Sequence, residues 1–254
     1  MAVRKYKIGL VLSGGGARGF AHLGVIKALN EAGIYPDVIS GTSAGAIAGG
    51  FYADGHSPDE ILHFFVEKGL YKYVEFIIPN KGFLKISGLL RLINCHMRAS
   101  DFSELKIPLF VAATDLNNVK TVYFSSGNLL RAIVASSSIP VMFQPFIIDG
   151  ITYVDGGVTD NLPLNPIKDN CEVLIGVNVN PIGYQESFDK IMSIAERSFH
   201  IAFNAGIFEK KHLFDLYIEP QDLNKYGIFD VAKSNEIFET GYKAAKKKLK
   251  AFKS

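Results

Sequence analysis

Cysteine is scarce: the 254 residues hold two, Cys95 and Cys171. A pair so far apart is no disulfide framework, and the simpler inference is a reducing, cytoplasmic compartment. An excess of one charge is also lacking, the net being +2. With no basic cluster interleaved with aromatics in the body of the chain, nucleic acid is set aside as a partner. No apolar run approaches the roughly 18 uninterrupted residues that mark a membrane span, and no repeat or low-complexity linker divides the chain. Arg4, Lys5 and Lys7 before Ile8–Leu12 imitate a secretion signal. That apolar run is too short, however, and it leads into glycines, so we expect it to be the first strand of the fold.

What is present is an ordinary globular composition, 48% hydrophobic and 20% charged, with 24 glycines concentrated in motifs and turns. Apolar runs of strand length alternate with helical patterns, which predicts an α/β protein: three layers, helices on both faces of a mostly parallel central sheet. We expect a single domain over 1–254. Strands are predicted at Ile8–Ser13, Val38–Ser40, Pro108–Asp115, Val119–Ser125 and Val173–Val179, with a hairpin of Phe146–Ile148 and Ile151–Val154 about Asp149-Gly150, and a last strand at Leu213–Ile218. Helices are predicted from Ala17 to Ala32, from Ala44 to Ala53, from Leu129 to Ala135, across Phe188–Lys210 and over Asn235–Phe252. Ser57-Pro58-Asp59-Glu60 predicts a further start, with Ser57 as N-cap and Glu60 completing a capping box.

Two glycine motifs carry chemistry. The first, Gly14-Gly15-Gly16-Ala17-Arg18-Gly19, stands between the first strand and its helix. Glycines let the backbone approach a substrate, and N–H groups at a helix start carry partial positive charge, so this loop suits an oxyanion hole, with Gly15 and Gly16 as donors. Gly14, Gly16 and Gly19 also satisfy a dinucleotide-binding spacing, but that needs an acid after the second strand, and Asp37 precedes it. Arg18 can steady the loop, attract an anionic head group or make a surface salt bridge. The second motif, Gly41-Thr42-Ser43-Ala44-Gly45, follows Val38–Ser40 and opens a helix. That context raises a serine hydroxyl on a strained turn, and Gly41 and Gly45 relieve the crowding. Ser43 is the candidate nucleophile; the competing role is a serine that caps the next helix. Asp155, followed by Gly156 and Gly157 at the end of a hairpin strand, is the candidate base or else an ordinary Asp-Gly turn.

The order of these motifs strongly resembles the patatin-like phospholipase family, over about residues 8 to 168. Ala135-Ser136-Ser137-Ser138-Ile139-Pro140 and Asp160-Asn161-Leu162-Pro163 are similar to further family blocks. The resemblance implies a patatin-like fold and a lipid acyl hydrolase, whether phospholipase, lysophospholipase or esterase. It implies a Ser43–Asp155 dyad, an oxyanion hole in Gly14–Gly19 and an acyl-enzyme intermediate. No metal or other cofactor is implied, and no His, Cys and carboxylate spacing argues for one.

Three alternatives stand beside it. Ser43, Asp155 and His200 or His212 follow the chain order of a hydrolase triad. The glycine loop can instead hold an anionic ligand without turnover, or a nucleotide. The partner expected is a lipid or acyl ester, with peripheral membrane contact through two segments. One is Phe83–Met97 with Tyr71, Tyr73, Phe76, Ile77 and Ile78 before it, a mobile cover, an interfacial anchor or a piece of the core. The other is the basic end of the last helix, Lys243, Lys246, Lys247, Lys248 and Lys250.

Overall fold

The computed structural model describes residues 4–67, 87–184, 187–188 and 191–252. Strand β1 (Tyr6–Leu12) leads through a 3-10 turn at Gly16–Gly19 into helix α1 (Phe20–Glu31), and β2 (Val38–Thr42) runs into α2 (Ala44–Ala53). Helices α3 (Pro58–Glu67) and α4 (Ser87–His96) precede β3 (Leu109–Asp115) and β4 (Lys120–Phe124). Then come α5 (Leu129–Ser136), the hairpin β5 (Phe146–Ile148) and β6 (Ile151–Asp155), and β7 (Cys171–Val177). Helix α6 (Ile191–Lys210), β8 (Leu216–Ile218) and α7 (Ser234–Phe252) complete the order.

The sheet is mixed and mostly parallel. β3, β2, β1, β7 and β8 form a parallel run in that order, and β4, β6 and β5 join antiparallel. Side-chain alternation divides the core into two layers. Leu10 and Leu12 of β1 pack with Leu23, Ile26 and Leu29 of α1, Phe51 of α2 and Ile237 and Phe238 of α7. Val11 faces the other way, with Val38, Leu162, Leu174 and Ile207 of α6.

One register matters for the site. β4 pairs with Val111–Asp115 of β3, and β2 and β6 pair with overlapping residues, so both must lie on the opposite edge of β3. There they meet end to end: Thr42 is opposite Ala112, and Asp155 is opposite Ala113. The last residue of β2 and the last of β6 therefore abut, although more than a hundred residues separate them in sequence.

The capping box forms as the sequence predicts, with Ser57 N–H donating to Glu60 Oε2 at 2.7 Å and Glu60 N–H to Ser57 Oγ at 3.3 Å. Both cysteines are free, Cys171 buried and Cys95 exposed. Of the segment suggested as a cover or anchor, the described end belongs to the core: Ile93 is fully buried and His96 stacks on Phe64 at 4.3 Å. Tyr71, Tyr73, Phe76, Ile77, Ile78 and Phe83 to Ile86 lie outside the described residues.

Candidate active site

Ser43 sits between β2 and α2 with φ 52° and ψ −118°, a conformation that a non-glycine residue adopts only under constraint. The constraint comes from its neighbours. A Cβ on Gly41 would lie 2.7 Å from the backbone of Gly45, and one on Gly45 would lie 2.4 Å from the carbonyl oxygen of Leu12. Both glycines are needed for α2 to fold back tightly over the sheet. The Ser43 N–H donates to Ser136 Oγ at 2.8 Å, which pins the turn. Its hydroxyl makes no capping bond to α2; Ser43 lies beside the carboxylate of Asp155 and favours its charged form.

Asp155 is 3% exposed. It accepts the Gly157 N–H at 2.8 Å, and this bond and the Ser43 side chain both favour its charged form. Burial opposes them and prevails, raising its pKa from 3.8 to about 6. A carboxyl so placed is ionised at neutral pH and more basic than an exposed one. Thr114 Oγ1 donates to the Asp155 carbonyl at 2.9 Å and fixes its backbone. A Cβ on Gly156 would meet the Ala112 carbonyl at 2.2 Å, so Gly156 lets the chain leave β6 hard against β3.

The glycine loop lies beside this pair. A Cβ on Gly14 would stand 3.2 Å from Ser43 Cβ. The Gly14 N–H is already taken, donating to the backbone oxygen and Oδ1 of Asn161, both at 3.1 Å, and its carbonyl accepts from Asn180 Nδ2 at 2.5 Å. Among the described residues the N–H groups of Gly15 and Gly16 meet no protein acceptor. Gly16 has φ 57°, and a Cβ there would lie 2.4 Å from the Ile228 carbonyl. A Cβ on Gly19 would lie 2.5 Å from Ala44 Cβ, so this last glycine brings the start of α1 against the start of α2.

Arg18 is buried rather than at the surface, where a salt bridge was one expectation. Its Nε donates to the Tyr226 carbonyl at 2.7 Å and its Nη1 to His200 Nε2 at 3.1 Å. Burial and the charges of Arg18 and Arg197 lower the His200 pKa to about 4. His212 is exposed on a 3-10 turn at Lys211–Leu213. His22, beneath the loop, is fully buried, and its Nε2 donates to the Ser13 carbonyl at 2.8 Å.

A cavity of about 590 Å³ gathers these groups. Ser43, Asp155 and Gly14–Gly16 occupy one wall; Ile139, Pro140, Met142, Phe203, Ile228 and Phe229 make it largely apolar. Arg197, His200 and Asn204 of α6 form the remaining polar side with Asn180 and Asn224. Of these α6 residues the sequence marks His200 alone, by the chain order of a triad; Arg197 and Asn204 carry no signal. Asn180 follows a predicted strand, a common place for a site, but nothing in the sequence ties it to Gly14. Among the described residues no helix is long and apolar enough to cross a membrane, and no group of three or more His, Cys, Asp or Glu could hold a metal.

The fold and this arrangement define a class: an α/β protein with a serine elbow beside a buried carboxylate and a glycine loop. The family model described as patatin-like phospholipase matches residues 10–167, and the chain belongs to that family. An uncharacterized NTE family protein of Mycobacterium tuberculosis is 36% identical over 178 residues, covering 68% of this chain and 49% of that protein. A lysophospholipase nte1 of Emericella nidulans is 28% identical over 282 residues, 97% of this chain and 18% of that protein. The chain thus spans about half the length of the mycobacterial relative and under a fifth of the fungal one. VipD from Legionella pneumophila shares the fold, with a TM-score of 0.56 at 14% identity over 98% of this chain and 67% of its own. So does the ExoU–SpcU complex of Pseudomonas aeruginosa, with a TM-score of 0.54 at 15% identity, 98% of this chain and 53% of its own.

Proposed function

We propose that the chain is a serine lipid acyl hydrolase working through a Ser43–Asp155 dyad. The observation that carries this reading is Ser43, held on a strained turn beside a buried carboxylate of raised basicity. Asp155 takes the Ser43 proton as Oγ attacks the ester carbonyl. The tetrahedral oxyanion accepts hydrogen bonds from the Gly15 and Gly16 N–H groups, donors that need no reorganisation when charge develops. Collapse expels the alcohol, which takes the proton from Asp155 and leaves an acyl-Ser43. Asp155 then deprotonates a water, and the second oxyanion breaks down to free acid and Ser43.

His200 has no place in this sequence. Its Nε2 accepts from Arg18, and Asp155 is engaged by Ser43 and Gly157. The largely apolar cavity suits an acyl chain, and the family's description and the lysophospholipase name of a relative support lipid over other esters. We take 1–254 as one domain, because α6 and α7 complete the two layers against β1 and α1.

Purified protein is expected to hydrolyse short-chain nitrophenyl esters, and Ser43→Ala to lose that activity. An inactive wild type, or activity that survives the substitution, contradicts the proposal. Peripheral contact with a lipid surface belongs to the same reading, supported by the exposed Lys243, Lys247, Lys248 and Lys250 of α7. Lys246 is paired with Glu31 at 3.0 Å. Sedimentation with liposomes should increase with anionic lipid content; no binding to any composition removes this part.

A further inference from the structure

The cavity has a second polar centre, and the dyad does not use it. Arg197 and His200 stand three residues apart on α6 and so share a face of the helix; both line the cavity that holds Ser43. They lie beyond residues 10–167, the part that the family model matches. Arg197 is half-buried, and its Nη2 donates to the Gly183 carbonyl at 2.5 Å. A neutral carbonyl fixes the guanidinium without offsetting its charge. Among the described residues no carboxylate lies within ion-pair distance of Arg197, and Asp155 is the one carboxylate lining the cavity.

His200 adds a directed donor. A guanidinium can only donate, so the contact from Arg18 Nη1 makes His200 Nε2 the acceptor and puts the ring proton on Nδ1. No hydrogen bond from Nδ1 to a described residue is present, and the part-exposed His200 lines the cavity. The depressed His200 pKa has the charges of Arg18 and Arg197 among its causes, so it registers a positive field on this wall.

Fixed positive charge, a forked donor and an imidazole N–H, in a cavity whose one carboxylate among the described residues is Asp155, are complementary to an anion with several oxygens. We propose that Arg197 and His200 form a subsite for the phosphate of the substrate's head group, and that they set head-group specificity for the ester cleaved at Ser43. The proposal rests on the hydrolase reading for its substrate. The head group would lie on the α6 side of the cavity and the acyl chain along the apolar wall of Ile139, Met142 and Phe229.

Equilibrium binding tests it without requiring turnover. A non-hydrolysable ether lipid with a phosphate head group and a neutral glycerol ether of the same chain length are titrated into the Ser43→Ala protein. The phosphate lipid is expected to bind more tightly by roughly ten- to a hundredfold, the range of a charge-assisted contact. Adding Arg197→Gln should remove most of that preference, His200→Gln a smaller part, and Arg197→Lys should restore it incompletely. In the active protein, the ratio of kcat/KM for phosphate-headed over neutral esters should fall at least tenfold in Arg197→Gln, through KM. Equal binding of the two lipids, or a preference that survives both glutamine substitutions, overturns the subsite, even if nitrophenyl esters are hydrolysed normally. Conversely, the binding preference can hold in a protein that hydrolyses nothing; that result keeps the subsite and rejects the hydrolase reading. Inorganic phosphate separates the sources of the anion. Competition at concentrations near those of the lipid assigns free phosphate, competition only in large excess assigns the head group, and none at any concentration overturns the proposal.

Discussion

Two side-chain pairs face the same cavity, Ser43–Asp155 and Arg18–His200, and they are tuned in opposite directions. Burial raises the Asp155 carboxyl to about 6, and burial with two guanidinium neighbours lowers the His200 imidazole to about 4. At neutral pH the first pair holds a basic carboxylate against a hydroxyl. The second holds a neutral ring whose acceptor nitrogen is occupied. A histidine in an active-site cavity is therefore not by that fact a general base; what its nitrogens already bind decides. In the proposed dyad it is the carboxylate, and not the ring, that takes the Ser43 proton.

The comparison breaks most visibly in activity. Ser43→Ala should lower kcat on a nitrophenyl ester on the order of 10⁴-fold or more, and Asp155→Asn by about 10³-fold, as expected for a nucleophile and its base. His200→Gln should cost no more than about tenfold on that neutral substrate; a loss as large as that of Asp155→Asn would exchange the roles of the two pairs. Next in size is Gly16→Ala, which places a Cβ 2.4 Å from the Ile228 carbonyl at a positive φ. Displacing the proposed oxyanion donors should reduce kcat by about 10²- to 10³-fold, with KM little changed.

Stability sharpens the same contrast. The folded-state pKa of Asp155, about 6, exceeds its ordinary 3.8. Its contribution to stability is full below pH 3.8 and is lost as pH rises through 6. The ionised group then costs up to about 3 kcal/mol at pH 7. Thermal melting of Asp155→Asn at pH 7 should therefore show a raised Tm, and the gain should shrink toward pH 4; a lowered Tm would deny the burial cost. His200 runs the other way, its contribution being present above 6.5 and lost as pH falls through 4. The smallest effect concerns the loop's support. Asn161→Ala removes the Oδ1 acceptor of the Gly14 N–H and should lower kcat by roughly tenfold, as for one buried hydrogen bond.

The N-terminal motifs were legible because each depends on local chemistry. Glycines at 41 and 45 around a serine, and a glycine run between a strand and a helix, state their backbone requirements in the residues themselves. The pairing of Ser43 with Asp155 is less local. It depends on β2 and β6 sharing one edge of β3, a register that no spacing expresses. The α6 wall was legible only as a histidine in triad order: Arg197 and His200 sit in an ordinary helical stretch, and their surroundings come from Arg18 and Gly183 in the folded chain. Arg18 shows the same limit, since a surface salt bridge and a buried clamp on Tyr226 begin from the same sequence. Strand ends shifted for a related reason. The predicted Val173–Val179 forms as Cys171–Val177, because pairing starts opposite Tyr6 of β1.

The most direct test is the pH dependence of kcat/KM for a short-chain nitrophenyl ester, from pH 4 to 9, in wild type, Asp155→Asn and His200→Gln. The dyad predicts that activity falls on acidification through about pH 6 in wild type and keeps that acid limb in His200→Gln, while Asp155→Asn is nearly inactive without it. An acid limb that disappears with His200 and persists in Asp155→Asn would contradict the account.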